Sequence, residues 1–489
     1  MSRILRTPAE FTAEDHKIAL RIAESALTVD GVERLTDIRA WFTARASLDI
    51  ARVNRIPFAE MDRWGTDPRT GDLRHDSGRF FSIEGLAVEV PQGPVPRWTQ
   101  PIVNQPEIGI LGFLVQEFNG VLHFLVQAKN EPGNATGVQL SPTVQATRSN
   151  YTGVHGGAKV PYLGYFRDPD RHRIIADVLQ SEQGSWFYQK RNRNIVIEVD
   201  EEIPLLDGFR WLTLGQLHRF LAEDDVVNMD ARTVLSCLPF SAEDLTGALP
   251  SAGEGLPAAV LRSASPEQGA RHTTAEILRW VTDARTSNEV RTRRMPLRDI
   301  DGWTRTADAI EHDDRLFFRV IAVRVETGHR EVTGWTQPMI EPIGVGVIAF
   351  VVTRFDGVLH ALVQARVEPG YLDVVELAPT AQWTPSNYTR LPAAAAPRFA
   401  GEILTARPEQ VLFEATLSEE GGRFHRALNR YTIIELDPAR GAALDTGPAH
   451  RWLALHQLVD LLRHSHYVNV QGRSLVACLH TLSGARDRP

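Results

Sequence analysis

Two apolar runs flank a polar dipeptide in the first third of the chain: IGILGFLVQEF (108–118), then Asn119-Gly120, then VLHFLVQAK (121–129). Runs rich in branched and aromatic residues read as strands, and Asn-Gly supplies the positive φ of a tight hairpin turn. The same pattern recurs downstream with Asp356-Gly357 at the turn. RFFSIEGLAVEV (79–90) and NIVIEV (194–199) predict further strands. The period then changes: WLTLGQLHRFLAE (211–223), VNMDARTVLSCL (227–238) and the stretch around Thr36–Ala46 space their apolar residues for helices. The pattern predicts an α+β unit, a mixed or antiparallel sheet flanked by helices.

That unit occurs twice. A shift of 237 positions lays WTQP (98–101) on WTQP (335–338), GVLH (120–123) on GVLH (357–360) and LVQA (125–128) on LVQA (362–365). EPG (131–133) meets EPG (368–370), and SNYT (149–152) meets SNYT (386–389). Further on, VVNMDARTVLSCL (226–238) pairs with YVNVQGRSLVACL (467–479), so Cys237 and Cys478 are one position seen twice, expected in the core. The chain reads as a tandem duplication of a full domain. The expected division is an N-terminal extension (1–33), a first repeat (34–239), a linker (240–272) and a second repeat (273–485). The linker reading rests on the Gly, Pro, Ala and Ser content of 240–272.

Composition narrows the class. With 489 residues, 43% of them apolar, the chain has ample core material. A net charge of −8 gives no basic footprint for nucleic acid. Apolar runs such as GVGVIAFVV (344–352) are far shorter than the ~18–20 residues a membrane helix needs. The opening MSRILRTPAEFTAEDHK has no apolar secretion signal, and two cysteines give no disulfide framework. A cytoplasmic protein is expected, with no membrane or nucleic-acid partner, and in that setting the Asn-x-Thr patterns carry no glycan.

The candidate chemistry lies in polar stretches between apolar strands. EPGNATGVQLSPTVQATRSNYTGVHGG (131–157) holds Gln139, Ser141, Gln145, Arg148, Asn150, Tyr151 and His155, and reads as a polar loop. Gln145, Asn150 and Tyr151 survive the duplication as Gln382, Asn387 and Tyr388. A second cluster, SEQGSWFYQKRNRN (181–194), answers SEEGGRFHRALNRY (418–431), with Arg193 matching Arg430. Neither a GxxxxGK[ST] loop nor a GxGxxG after a strand is present. His464-x-His466 has metal-like spacing, but Glu223 and Asp225 stand opposite, and a solvated helix end is the expectation.

The run WTQPIVNQPEIGILGFLVQEFNGVLHFLVQAKNEPGN…VQLSPTVQATRSNYT…HGG resembles the NDP-hexose 2,3-dehydratases of deoxysugar biosynthesis. WTQP…VQARVEPG…ELAPTAQWTPSNY, SEEGGRF…NRY and YVNV…RSLVACL resemble the C-terminal half of the same family. The resemblance implies two Nudix-like domains per subunit, a homodimer and no cofactor. It also implies the substrate dTDP-4-keto-6-deoxy-D-glucose, and a 3,4-diketo-2,6-dideoxy product consumed by a separate 3-ketoreductase. The Nudix metal helix, Gx5Ex7REUxEExGU, is missing from both halves, so no metal is expected. This disfavours a metal-dependent hydrolase and leaves a non-catalytic nucleotide-sugar-binding protein as the alternative.

A 2,3-dehydration needs a base for the C3 proton, donors for the C4 enolate oxygen and an acid for the C2 hydroxyl. The resemblance offers Glu131, Tyr151, His155 and Glu182 as catalytic residues of the first repeat, with base and acid unassigned. Substrate-binding candidates are Trp98, Thr99, Gln100, Lys129, Gln145, Arg148, Asn150, Trp186, Lys190 and Arg193. The cations suit a diphosphate, and the two tryptophans could equally stack on thymine or serve as core aromatics. A second pocket would comprise Trp335, Gln337, Glu368, Gln382, Asn387, Tyr388 and Arg430. Arg148, His155, Lys190 and Arg191 face Pro385, Pro392, Ala427 and Leu428 in the second repeat, while Arg423 and Arg426 face Trp186 and Gln189. The first repeat is expected to be the catalytic one, and the second a vestigial or structural site that could still bind a nucleotide.

Overall fold

The computed structural model describes residues 13–48, 51–147, 160–243, 245–249, 255–327 and 334–484. Within them the chain is α+β and folds as two similar halves. Each half has a seven-stranded mixed sheet. In the first half, Arg173–Ser181, Arg191–Glu198, Gly109–Phe118, Val121–Asn130 and Phe209–Thr213 lie side by side, with two short strands added. Only Arg191–Glu198 and Gly109–Phe118 run parallel. The second half repeats this order, with Leu428–Glu435 parallel to Gly346–Phe355.

The hairpin turns are as the sequence requires. Asn119 and Gly120 have φ of 52° and 84°, and Asp356 and Gly357 have 51° and 80°. Two successive positive φ angles match the right-handed twist of the strands they join. Helices Leu214–Leu221 and Met229–Ser236 pack on one face of the first sheet. Leu455–Leu462 and Val470–Thr481 do so in the second half, and one apolar cluster runs through both halves.

A smaller sheet in each half is completed by the other half. Strand Ala51–Ile56 pairs antiparallel with Phe318–Thr327, and Arg291–Met295 pairs with Ser82–Glu89. The exchange is pinned by charge: Arg55 meets the buried Glu341, and Arg294 meets the buried Glu84 at 3.2 Å. Thr99 Oγ1 accepts from the Asp301 backbone N–H at 2.7 Å, a further tie between the halves.

Several segments carry more structure than composition suggests. The segment taken as a linker carries helix Leu256–Ser263, with Ala259, Val260 and Leu261 fully buried. The segment taken as an extension carries helix Ala13–Leu27, with Ile22 and Ala23 fully buried. The two helices are equivalent: Ser25 Oγ donates to the Leu122 carbonyl and accepts from Leu214 N–H, while Ser263 Oγ does the same with Leu359 and Leu455. A matching helix therefore packs on each half from the stretch upstream of its repeat. The segment read as a polar loop holds two buried strands, Val138–Ser141 and Val144–Ala146. His466 is buried rather than solvated, and so is Asp225, which accepts from Thr136 Oγ1 at 2.7 Å. Cys237 and Cys478 are free and buried, and burial pushes their thiols up to about 11 and about 12.

Candidate active site

The EPG turn of each half interlocks with the acidic loop of the other. Gly133 N–H donates to the Gly421 carbonyl and Gly370 N–H to the Gly184 carbonyl, both at 2.7 Å. A Cβ on Gly133 would lie 1.8 Å from the Phe424 carbonyl oxygen, and one on Gly370 equally close to that of Phe187. No side chain fits there. This close approach brings Glu131, just after strand Val121–Asn130, up to the second half's Glu420-Gly421-Gly422-Arg423.

Four carboxyl groups converge at this place: Glu131 and Glu182 from strand ends, Asp230 from the first turn of helix Met229–Ser236, and Glu420 from across the halves. Glu131 accepts from Gln145 Nε2 at 2.8 Å and lies 3.5 Å from Lys129 Nζ, and Gln145 in turn accepts from Asn228 at 3.1 Å. Glu182 accepts from Asn192 Nδ2 at 2.7 Å through one oxygen. Its other oxygen, and Asp230 Oδ1, are sealed from solvent without a hydrogen-bond partner among the described residues. Glu420 is aimed by its own loop, accepting from the N–H groups of Gly422 and Arg423 at 3.0 and 2.8 Å.

Like charges this close in a buried place cannot all ionise. Burial, with Glu131 and Glu182 nearby, pushes Glu420 up to about 7 despite Arg423. Burial raises Glu182 in spite of Arg473 and Lys190. Burial, then Glu182, Glu131 and Glu420, push Asp230 well above the usual carboxylate range. Burial also pulls Lys190 down to about 8, where Arg423 opposes its charge and Glu182 supports it. The arrangement can hold, take and give protons near neutrality, beside two cations from different halves. Among the described residues, no group of three or more His, Cys, Asp or Glu side chains is placed to hold a metal ion.

The equivalent place in the second half repeats the pairs around Glu131, and there too one oxygen of Glu368 and the Gln471 Oε1 are buried without a hydrogen-bond partner among the described residues. Glu368 accepts from Arg366 and Gln382, both at 2.9 Å, and Asn469 donates to Gln382 at 3.0 Å. Tyr371 stands where the first half has Asn134 and is buried against Gly184. Glu419, the counterpart of Glu182, is bound by Asn429, Tyr431 and Gln183 at 2.7, 2.7 and 2.6 Å. Gln471 stands opposite Asp230, and Gln183 opposite Glu420.

Of the residues expected at the site, Glu131, Glu182, Lys129, Gln145 and Lys190 come together. Arg148, Asn150, Tyr151 and His155 lie outside the described residues. Arg193 turns to the opposite sheet face from Asn192 and pairs with Asp177 at 2.7 Å, as Arg430 approaches Glu414 at 3.6 Å. Trp186 packs edge-on against Phe424, 4.6 Å between ring centroids, in the apolar contact between halves. Trp98 donates to Gln100, which holds the Ser185 carbonyl at 2.7 Å, while Trp335 and Gln337 repeat this on Gly422. These residues brace the acidic loops. Asn387 accepts from Phe317 N–H at 2.9 Å, and Tyr388 packs on the second half's core. Sequence reasoning missed Asp230, Glu420, Asn192 and Asn228, and placed Arg423 in the second half's pocket rather than beside the first half's carboxyls. Its one usable signal was the mismatch of Asp230 with Gln471 and of Glu420 with Gln183.

Fold and site together define a duplicated α+β protein with a buried carboxyl cluster assembled across its halves. The chain belongs to the NDP-hexose 2,3-dehydratase family, whose profile matches residues 35–238 and 274–479. It is 48% identical over 473 residues to a dTDP-4-dehydro-6-deoxy-alpha-D-glucopyranose 2,3-dehydratase of Amycolatopsis orientalis, covering 96% of this chain and 95% of that protein. Proteins of the same description from Saccharopolyspora spinosa and Streptomyces violaceoruber are 49% and 45% identical, over 94% and 92% of this chain and 95% and 98% of their own lengths.

Proposed function

We propose that this chain removes the C2 hydroxyl of dTDP-4-keto-6-deoxy-D-glucose, giving the 3,4-diketo-2,6-dideoxy sugar nucleotide. The observation that carries this reading is the buried carboxyl cluster of the first half, in a chain whose relatives are named for that dehydration. The C4 ketone acidifies the C3 proton. A carboxylate takes that proton, the C2 hydroxyl leaves, and the enol ketonises with a proton added at C2. Glu131 and Glu182 are the first-half carboxylates offered for the C3 proton, and burial of the kind seen at Glu182 tunes such a base toward neutrality.

The diphosphate hangs on C1, one bond from the reacting C2, so its cations have to lie close to the proton-transferring groups. Lys190 and Arg423 meet that requirement, since both act electrostatically on the carboxyl cluster. Within this reading the enzyme is a hydro-lyase of the cytoplasm, and each half is a Nudix-like domain that has lost its metal helix. The subunits form a homodimer, and a separate 3-ketoreductase consumes the diketone.

Incubation with dTDP-4-keto-6-deoxyglucose, a 3-ketoreductase and NADPH in D₂O tests this. The trapped product should have lost one water and carry deuterium at C2. Unchanged substrate, or cleaved diphosphate, would overturn the reading.

A further inference from the structure

Dehydration at C2 has a difficulty that the base does not solve, because hydroxide is a poor leaving group. Something has to protonate the C2 oxygen as the C2–O bond breaks. That group has to be neutral at working pH while a carboxylate beside it is charged, and two carboxyls in unequal surroundings can divide the roles in this way.

Resting on the dehydratase reading above, we propose that Asp230 is the catalytic acid that gives its proton to the departing C2 hydroxyl. Asp230 is 4% exposed, and its Oδ1 has no hydrogen-bond partner among the described residues. A buried polar atom left unmatched in a folded protein calls for a ligand. The helix N-terminus beneath it is already capped by Asn228, which accepts from Ala231 N–H, so capping does not explain the aspartate. Packing does not require a carboxyl here either, since the second half places Gln471, also buried with an unpartnered oxygen but unable to give up a proton, at the same position.

The groups facing Asp230 come from several elements: Glu131 and Lys129 from the end of strand Val121–Asn130, Glu182 beyond strand Arg173–Ser181, and Glu420 from the second half. Arg232, on its own helix, is turned away and spent on the Val227 and Ser418 carbonyls and Ser474. Three carboxyls against one lysine make ionisation of Asp230 costly, and its burial raises that cost further. The helix dipole pulls the other way, but it is a smaller effect within one turn. In the step itself, the C3–H pair becomes the C2=C3 bond, the C2–O pair leaves with oxygen, and the Asp230 proton completes water. Asp230 is left ionised and regains a proton from the cluster before the next turnover.

The test compares wild type and Asp230→Asn on the hydroxyl substrate and on its 2-fluoro analogue, whose fluoride leaves without needing a proton. Wild type should release water from one and fluoride from the other; if it releases neither, the dehydratase reading has failed. Asp230→Asn should lose roughly 10²–10⁴-fold in kcat on the hydroxyl substrate, the usual range for a general acid, and stay within about tenfold of wild type on the fluoro analogue. Equal activity on the hydroxyl substrate, or equal loss on both, would overturn the assignment.

A second variant leaves Asp230 in place. Glu420→Gln removes one neighbouring negative charge, so Asp230 should ionise more readily and the alkaline limb of kcat should move to lower pH. An unmoved limb counts against Asp230 even if Asp230→Asn does not fold.

Discussion

Gly133 and Gly421 are joined by a backbone hydrogen bond of 2.7 Å, and this contact holds the first half's Glu131 against the second half's acidic loop. The interlock leaves no room for a side chain at Gly133. Gly133→Ala should cost at least about 2 kcal/mol in stability, because backbone rather than a movable side chain has to give way. Gly65→Ala, where an added Cβ meets nothing within 4 Å, should stay within about 0.5 kcal/mol. Denaturant titration of both checks this, and equal midpoints would contradict the interlock.

The exchanged strands make each small sheet depend on both halves. Thermal unfolding should therefore give one calorimetric transition, with calorimetric and van't Hoff enthalpies in agreement. Arg55→Ala, which removes the partner Glu341 has in the other half and leaves it Arg319, should lower that single transition without splitting it. Two resolved transitions in wild type would show that the halves unfold independently.

Much of this architecture was legible in the sequence because it rests on local chemistry. Asn119-Gly120 and Asp356-Gly357 announce their hairpins, and the 237-residue shift announces the duplication. The helices Ala13–Leu27 and Leu256–Ser263 were not legible, since they share packing and a buried serine but almost no side-chain identity. The orientation of Arg193 was not legible either: Asn192, one residue away on the same strand, binds Glu182, and alternation turns Arg193 to the other face, onto Asp177. Asp230 and Glu420 lie far apart in sequence and on different halves, and only the fold makes them neighbours.

Lys190 gives a pH signature. Burial lowers its ammonium to about 8, so its charge is present below that pH and lost above it. With Lys190 on the diphosphate, KM should rise as pH passes 8. Lys190→Arg should flatten that rise, because guanidinium stays protonated. A KM independent of pH between 7 and 9 in wild type would remove Lys190 from the diphosphate site.

The central claim is that dehydration happens in the first half, where Asp230 and Glu420 join Glu131 and Glu182, and not in the second, where Gln471 and Gln183 stand at the positions of Asp230 and Glu420 and Tyr371 fills the place of Asn134. The direct measurement is kcat for Glu131→Gln and Glu368→Gln, assayed side by side on dTDP-4-keto-6-deoxyglucose. Glu131→Gln should lose at least about 10²-fold, while Glu368→Gln should remain within about fivefold of wild type. Loss of turnover in Glu368→Gln with Glu131→Gln still active would place the chemistry in the other half and contradict the account.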